Sequence, residues 1–236
     1  MRQVCVLTLA VVACAAFAEV PTATAAPRWK HVITEKRVKV FVLPDPSRDV
    51  PLIRGETIIR APILELLAIL TDVDRACHWN VRCIQSRTLR RTSDLKVTFY
   101  GLLDGPWPVS DRDAIFKARA RILEGGRRVR ANFDAIPWPA LPPPPGVVRF
   151  ARLHGSYEMT ALAASLTRVV YQIDAHPGGM VPDWFVRYSS KYVPIATLSN
   201  LRKESRRIGT RYKDFIARHR PPATVKATPS ANPPAP

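Results

Sequence analysis

Between residues 31 and 176, apolar and polar positions alternate with a period of two in most segments, the pattern of strands that bury one face. HVITEKRVKVFVL (31–43) reads as two strands around a turn, and LIRGETIIRA (52–61) as a third. CIQSRTLRR (83–91) and DLKVTFYGLL (94–103) follow, separated by a polar turn at Thr92 and Ser93. DAIFKARARIL (113–123) turns at Gly125-Gly126 into RRVRANFDAI (127–136). VRFARLHGSYEMTAL (148–162) and LTRVVYQIDAH (166–176) complete the set. The gaps are mostly short, so neighbours are expected to pair antiparallel rather than through crossovers.

Two segments are helical instead. Pro62 suits the first turn of a helix over PILELLAILTDVDRACHW (62–79), where its missing N–H costs little. Asp183 opens a long helix over residues 183–219, which Pro194 is expected to kink by removing a hydrogen bond and crowding the preceding turn. A strand-rich middle followed by one long C-terminal helix predicts an α+β fold, the helix packed on one face of a curved antiparallel sheet.

The strand that starts at Arg112 carries the most information. Alternation places Asp113, Ile115, Lys117, Arg119 and Arg121 toward water. Arg112, Ala114, Phe116, Ala118 and Ala120 then face inward. Alanines fill little volume, so a sheet lined by them leaves room for something else. Compatible linings come from Val129, Ala131 and Phe133, from Gly155, Tyr157 and Met159, and from Val169, Tyr171 and Ile173. An apolar face with one inward arginine and two tyrosine hydroxyls fits a ligand cavity. A buried guanidinium needs a partner. Asp111 or Asp113 would serve, and so would the phosphate or carboxylate of a bound ligand.

The ends of the chain frame this domain. Arg2, the apolar run Val4–Phe17 and the small residues that follow have the layout of a secretory signal peptide over residues 1–26. The run is shorter than the ~20 residues of a membrane span. VVAC (11–14) also resembles a lipoprotein box, which would anchor the chain through Cys14. The expected product is an exported protein, periplasmic or secreted, with one domain over 27–219. A Pro/Ala-rich tail over 220–236 has too little apolar bulk to offset its ordering entropy. Cys77 and Cys83 would remain after export, either as a disulfide or as two buried thiols.

The formal net charge is +17. That charge suits anionic lipid headgroups, each nearby basic residue contributing ~1 kcal/mol. Nucleic acid would suit it too, but export and the lack of a visible stacking motif count against it. Arg202, Lys203, Arg206, Arg207 and Arg211 on the last helix are the candidate membrane contacts. No Gly-rich phosphate loop, HExxH or GxSxG stands in the chain. His154 falls on an outward strand position and His176 at a Pro-Gly-Gly turn, so neither makes a convincing acid or base. No cofactor, metal or catalytic residue is called for.

At this point the chain resembles a known family. PILELLAILTDVDRACHWN (62–80), PWPVSDRD (106–113), VRFARLHGSYEMTAL (148–162), TRVVYQIDAHPGGMVPDWFV (167–186) and PIATLSNLRK (194–203) stand in the order of the START lipid-binding domain, a helix-grip family. The resemblance runs from about Trp29 to about Lys203. It implies a curved antiparallel sheet wrapped around a C-terminal helix with an apolar tunnel between them, and binding, often transfer, of a lipid. By resemblance Arg112 approaches a lipid phosphate. The sterol branch's buried acid–arginine pair would fall near Phe99 and Ala118, where this chain has neither, which speaks against a sterol contact of that kind. The expected ligand contacts are Arg112, Ala114, Phe116, Ala118, Tyr100, Tyr157, Tyr171 and Trp184. The expected function is non-enzymatic lipid binding, with polyketide cyclase or aromatase chemistry in the same cavity as the alternative.

Overall fold

The computed structural model describes residues 28–45, 50–179 and 181–221. The signal-peptide and lipoprotein readings, with Cys5 and Cys14, lie outside the described residues, as does the tail beyond residue 221.

The elements run β1 (Lys30–Glu35), β2 (Val38–Leu43), β3 (Leu52–Ile59), α1 (Ile63–Thr71), β4 (Cys83–Ser93), β5 (Lys96–Leu103), β6 (Arg112–Leu123), β7 (Arg128–Ile136), β8 (Val148–Arg149), β9 (Arg152–Ala163), β10 (Leu166–His176), α2 (Asp183–Glu204) and α3 (Lys213–His219). A 3₁₀ segment, Val73–His78, follows α1. The strands form one curved antiparallel sheet in the order β1-β2-β3-β10-β9-β7-β6-β5-β4, and the short β8 adds in parallel to the start of β6. Most neighbours are hairpins, as the short gaps require. The exception that shapes the sheet is β3 against β10, which runs from Thr167↔Ile59 to Ile173↔Ile53. It brings the N-terminal hairpin beside the last strand.

The helices cover one face. Ile63, Leu64, Leu66, Leu67, Ala68 and Ile69 of α1 are buried, and Pro62 caps this helix rather than starting it. Leu198 and Leu201 of α2 are fully buried in the same core, with Val38, Val40, Ile59, Met159 and Val169 from the sheet. Each such side chain contributes about 1.5–3 kcal/mol through burial. Gly55 on β3 sets how closely α2 approaches. A Cβ there would lie 2.8 Å from Pro194 Cβ and 2.9 Å from Leu198 Cδ1. Pro194 thus stands inside the helix at its closest contact with the sheet.

The C-terminal helix is shorter than its periodicity suggests. It ends at Glu204, the chain turns through residues 205–212 with Gly209 at φ +51°, and α3 is a separate helix. The break lets Tyr212 reach back to α1, its hydroxyl donating to Asp72 Oδ2 at 2.9 Å.

The outward face of β6 also departs from simple alternation. Asp113 and Ile115 are both 0% exposed. At its start β6 is flanked by β8, with Asp113 opposite Arg149. Arg149 Nε and Nη2 donate to the two Asp113 carboxylate oxygens at 3.0 and 2.7 Å, and Nη1 donates to Leu141 O at 2.8 Å. The proline-rich connection between β7 and β8 is tied to β6 through these bonds. Lys117, Arg119 and Arg121, further along β6, are exposed as alternation requires.

Candidate functional site

Between the inner face of the sheet, α2 and the turn after α1 lies a cavity of about 270 Å³. Its wall is a continuous series of aromatic rings, each carried by a different strand. Phe99 on β5 stacks on Phe116 of β6 at 5.0 Å, and Phe116 meets Phe133 of β7 edge-on at 6.0 Å. Phe133 is 6.1 Å from Tyr157 of β9, which stacks on Tyr171 of β10 at 4.9 Å. Strand register puts these rings on one face, since Phe99↔Phe116 and Tyr171↔Tyr157 are direct cross-strand partners. Gly155 makes the series possible. It stands opposite Phe133, and any Cβ there would fall deep inside the Phe133 ring. Phe185, Val186 and Val193 of α2 close the opposite wall.

Arg112 lines this cavity and is 6% exposed. Its Nη1 donates to Ser110 O and its Nη2 to Gly178 O at 3.3 Å, while Nε has no partner. Among the described residues it forms no ion pair. Asp113 is taken by Arg149 on the other face of the sheet. Asp111 accepts from the Gly105 backbone N–H at 2.8 Å. Burial pulls the Arg112 guanidinium below its ordinary value, and the charge of Asp111 works in the opposite direction. It nonetheless stays protonated, as arginine does in proteins. Of the two partners the sequence leaves open for Arg112, neither aspartate pairs with it.

Arg112, Phe116, Ala118, Tyr157 and Tyr171 are brought together on the cavity wall. Burial raises the Tyr157 and Tyr171 phenols well above the ordinary value, so both stay neutral hydroxyls at any physiological pH. Ala114 is buried just behind the wall, packed with Phe116 and Leu153. Two expected contacts lie elsewhere. Tyr100 is on the outer face of β5, with Arg87 over its ring at 5.3 Å, and its phenol is raised by burial and by Asp113. Alternation assigns it there once Phe99 is inward. Trp184 is 47% exposed and packs edge-on against Phe185, the residue that does line the cavity. Helical spacing turns the two neighbours to different sides. Trp107, in the segment before β6, is 90% exposed.

The structure joins Cys77 and Cys83 in a disulfide with Cα atoms 4.8 Å apart. The turn it closes contributes Trp79, Asn80 and Val81 to the cavity lining. His154 is exposed and pairs with Asp134, away from the cavity. Among the described residues no cluster of His, Cys, Asp or Glu could hold a metal.

Phe99, Phe150, Phe185 and Arg149 escaped the sequence reading as site or supporting residues. The signal for Phe99 was present in its alternation with Tyr100. For Arg149 the only signal was the need of a buried Asp113 for a cation, and Asp113 itself read as exposed.

A curved sheet gripping a helix around an apolar cavity, with one polar end, defines a helix-grip ligand-binding domain. The START domain model matches residues 14–210, and the chain belongs to that family. An uncharacterized protein of Pseudomonas aeruginosa is 29% identical over 197 residues, covering 84% of this chain and 96% of that protein. Phosphatidylcholine transfer protein of Mus musculus is 26% identical over 128 residues, covering 52% of this chain and 60% of that protein. Among solved structures, a STAR-related lipid transfer protein fragment from Xanthomonas axonopodis is similar, with TM-score 0.68 and 27% identity over 75% of this chain and 98% of that one. Human STARD10 shares the fold, with TM-score 0.70 and 18% identity, covering 81% of this chain and 78% of that one.

Proposed function

We propose that this protein binds an amphipathic lipid in the cavity and carries it between membranes, without catalysing a reaction. The observation that carries this reading is a buried Arg112, without an ion pair among the described residues, in a largely apolar cavity. A buried charge without a partner is costly, and a bound anionic head would offset that cost. The aromatic wall would take the chain, each buried CH₂ contributing about 0.8 kcal/mol. Membership of the START family and the likeness to lipid transfer proteins support the same reading. Cyclase chemistry would need a placed acid or base. Among the described residues the cavity lining contains no histidine or glutamate, and its Asp104 is tied to Arg82 at 2.5 Å.

Carriage requires a membrane contact. Arg202, expected in that role, instead donates to Lys36 O and to Thr57 Oγ1, and Arg211 faces Glu204 at 3.5 Å. Lys203, Arg206 and Arg207 remain exposed. The better surface is the outer side of the first half of α2, where Trp184, Arg187, Tyr188 and Lys191 are exposed and Tyr192 stands at the edge shared with the cavity. Spacing of three and four residues gathers them into one stripe of aromatics and cations. Trp and Tyr favour the bilayer interface, and Lys and Arg favour anionic lipids. The inner side of the same helix lines the cavity. Export belongs to this reading, supported by the leader-like residues 1–26 and by the Cys77–Cys83 bond, since disulfides persist in oxidising compartments.

The test is native mass spectrometry of the protein purified from its own cells, followed by solvent extraction. A lipid mass bound one to one is the expected result. No such mass, together with no loading from vesicles of a total lipid extract, would overturn the proposal.

A further inference from the structure

We infer that the cavity is built for a single-chain amphipath with a compact oxyanion head, a carboxylate or a phosphate, rather than for a zwitterionic two-chain lipid. This rests on the lipid-binding reading above and names its ligand class.

Charge is the first argument. Among the described residues, the charged side chains on the lining are Arg82, Asp104 and Arg112. Arg82 and Asp104 neutralise each other, which leaves Arg112 as the one of the three without an ion pair. A ligand with one negative charge balances the cavity. A zwitterion would place an ammonium group a few bonds from its phosphate, and therefore near Arg112. Of the carboxylates nearest in sequence, Asp113 is paired with Arg149 on the far face, and the charge of Asp111, which accepts from the Gly105 N–H, already acts on Arg112 rather than on a ligand ammonium. The aromatic rings do not replace them. Phe99 lies on Phe116, and Tyr157 on Tyr171, near-parallel at 26° and 27°, so the rings form a wall rather than a cage around a cation.

Space is the second argument. The Gly178-Gly179 turn, in which both residues have positive φ, lies against the Arg112 guanidinium. A Cβ on Gly179 would lie 3.7 Å from Val148 Cγ1 and 3.9 Å from Arg112 Nη2. Gly178 is closer still, its Cβ position 3.2 Å from Arg149 O. The whole cavity, about 270 Å³, falls just under the ~300–1,000 Å³ of sites for drug-sized ligands. A lipid with two acyl chains is larger than such ligands.

The experiment is a headgroup series on the delipidated protein. Palmitate, lysophosphatidate, hexadecanol, hexadecyltrimethylammonium and lysophosphatidylcholine displace a bound fluorescent probe, and dioleoylphosphatidylcholine is offered in vesicles. Palmitate or lysophosphatidate is expected to bind one to one, at least tenfold tighter than hexadecanol, and the tighter of the two identifies the head. Arg112→Gln should remove that tenfold advantage, so that the anions bind no tighter than hexadecanol to the same variant. If the variant does not fold, the series on the unaltered protein decides by itself. Lysophosphatidylcholine or the two-chain lipid binding as tightly as the anions would overturn the inference and leave lipid binding intact. An anion advantage that persists in Arg112→Gln would overturn the assignment to that residue. If neither hexadecanol nor any of the lipids binds, the lipid-binding reading itself fails.

Discussion

Arg149 and Asp113 meet side-on across the β6–β8 pair, Nε to Oδ1 at 3.0 Å and Nη2 to Oδ2 at 2.7 Å. The two-point geometry uses both oxygens of a carboxylate that is 0% exposed. It also removes that carboxylate from Arg112, one residue away on the opposite face. The charge available inside the cavity is therefore set by an ion pair outside it.

Breaking that pair should be costly. Asp113→Ala strands Arg149 against the sheet, and loss of one partner of a buried pair costs ~3–5 kcal/mol. The Arg149 side chain is 24% exposed, which lowers the expected loss to about 2–4 kcal/mol. Urea denaturation of the variant checks it. A loss below ~1 kcal/mol, the worth of a surface pair, would show that the contact is ordinary surface electrostatics.

Gly155→Ala should act on the cavity through Phe133. The added methyl clashes with the Phe133 ring, which lines the cavity and is expected to be pushed into it. Overpacking of this kind costs about 1–3 kcal/mol. Capacity for a hydrophobic probe should drop in parallel, and a Phe133→Leu change on the same background should restore it. Unchanged probe binding in Gly155→Ala would show that the ring has another place to go.

Tyr212 predicts a loss of stability in base. Burial, and then its hydrogen bond to Asp72, push the phenol up from its ordinary value of 10.0 to about 12. A group whose folded value is raised stabilises fully below its unfolded value and ceases to do so as pH rises through the folded one. Stability should therefore fall between pH 10 and about 12, and Tyr212→Phe should fall less over that window. Parallel curves for the two proteins would count against the linkage.

The Cys77–Cys83 bond closes a short loop, and the chain-entropy relation gives about 2 kcal/mol for it. Replacing both cysteines with serine should lower thermal stability by that order. Because the loop lines the cavity mouth, probe dissociation should also become faster. An unchanged dissociation rate would confine the bond to a stability role.

The α2 stripe makes a prediction about vesicles. Arg187→Ala and Lys191→Ala together should weaken binding to anionic vesicles by about 2 kcal/mol, from ~1 kcal/mol per basic residue near the surface. Binding to neutral vesicles should be unaffected. Sedimentation with vesicles of each composition measures both, and an equal loss on the two would argue against an electrostatic contact.

Much of this molecule was legible from local pattern alone. Period-two alternation located nine of the strands, since each of them buries one face. It also turned Arg112, Phe116 and Ala118 toward the interior. Where one element covers another, the pattern misled. Asp113 read as exposed because nothing local shows that β8 pairs with the start of β6 and brings Arg149 to it, and Ile115, two residues on, is buried on the same face. Residues 183–219 read as one helix because the break after Glu204 matters only where α3 folds back toward α1. Trp184 read as a ligand contact because aromatic content does not say which side of a helix meets the cavity.

By itself, the sequence determined the strands, the two main helices, the inward arginine and the basic balance of the chain. These follow from chain-neighbour geometry, which repeats every two or 3.6 residues. Only the tertiary structure decided which acid pairs with which arginine, and that decision leaves Arg112 unpaired. It did so because Asp113 and Arg149 are 36 residues apart and meet only when β8 pairs with β6. The strength of a charge pair depends on that through-space distance and on burial, and neither is encoded in any one stretch of the chain.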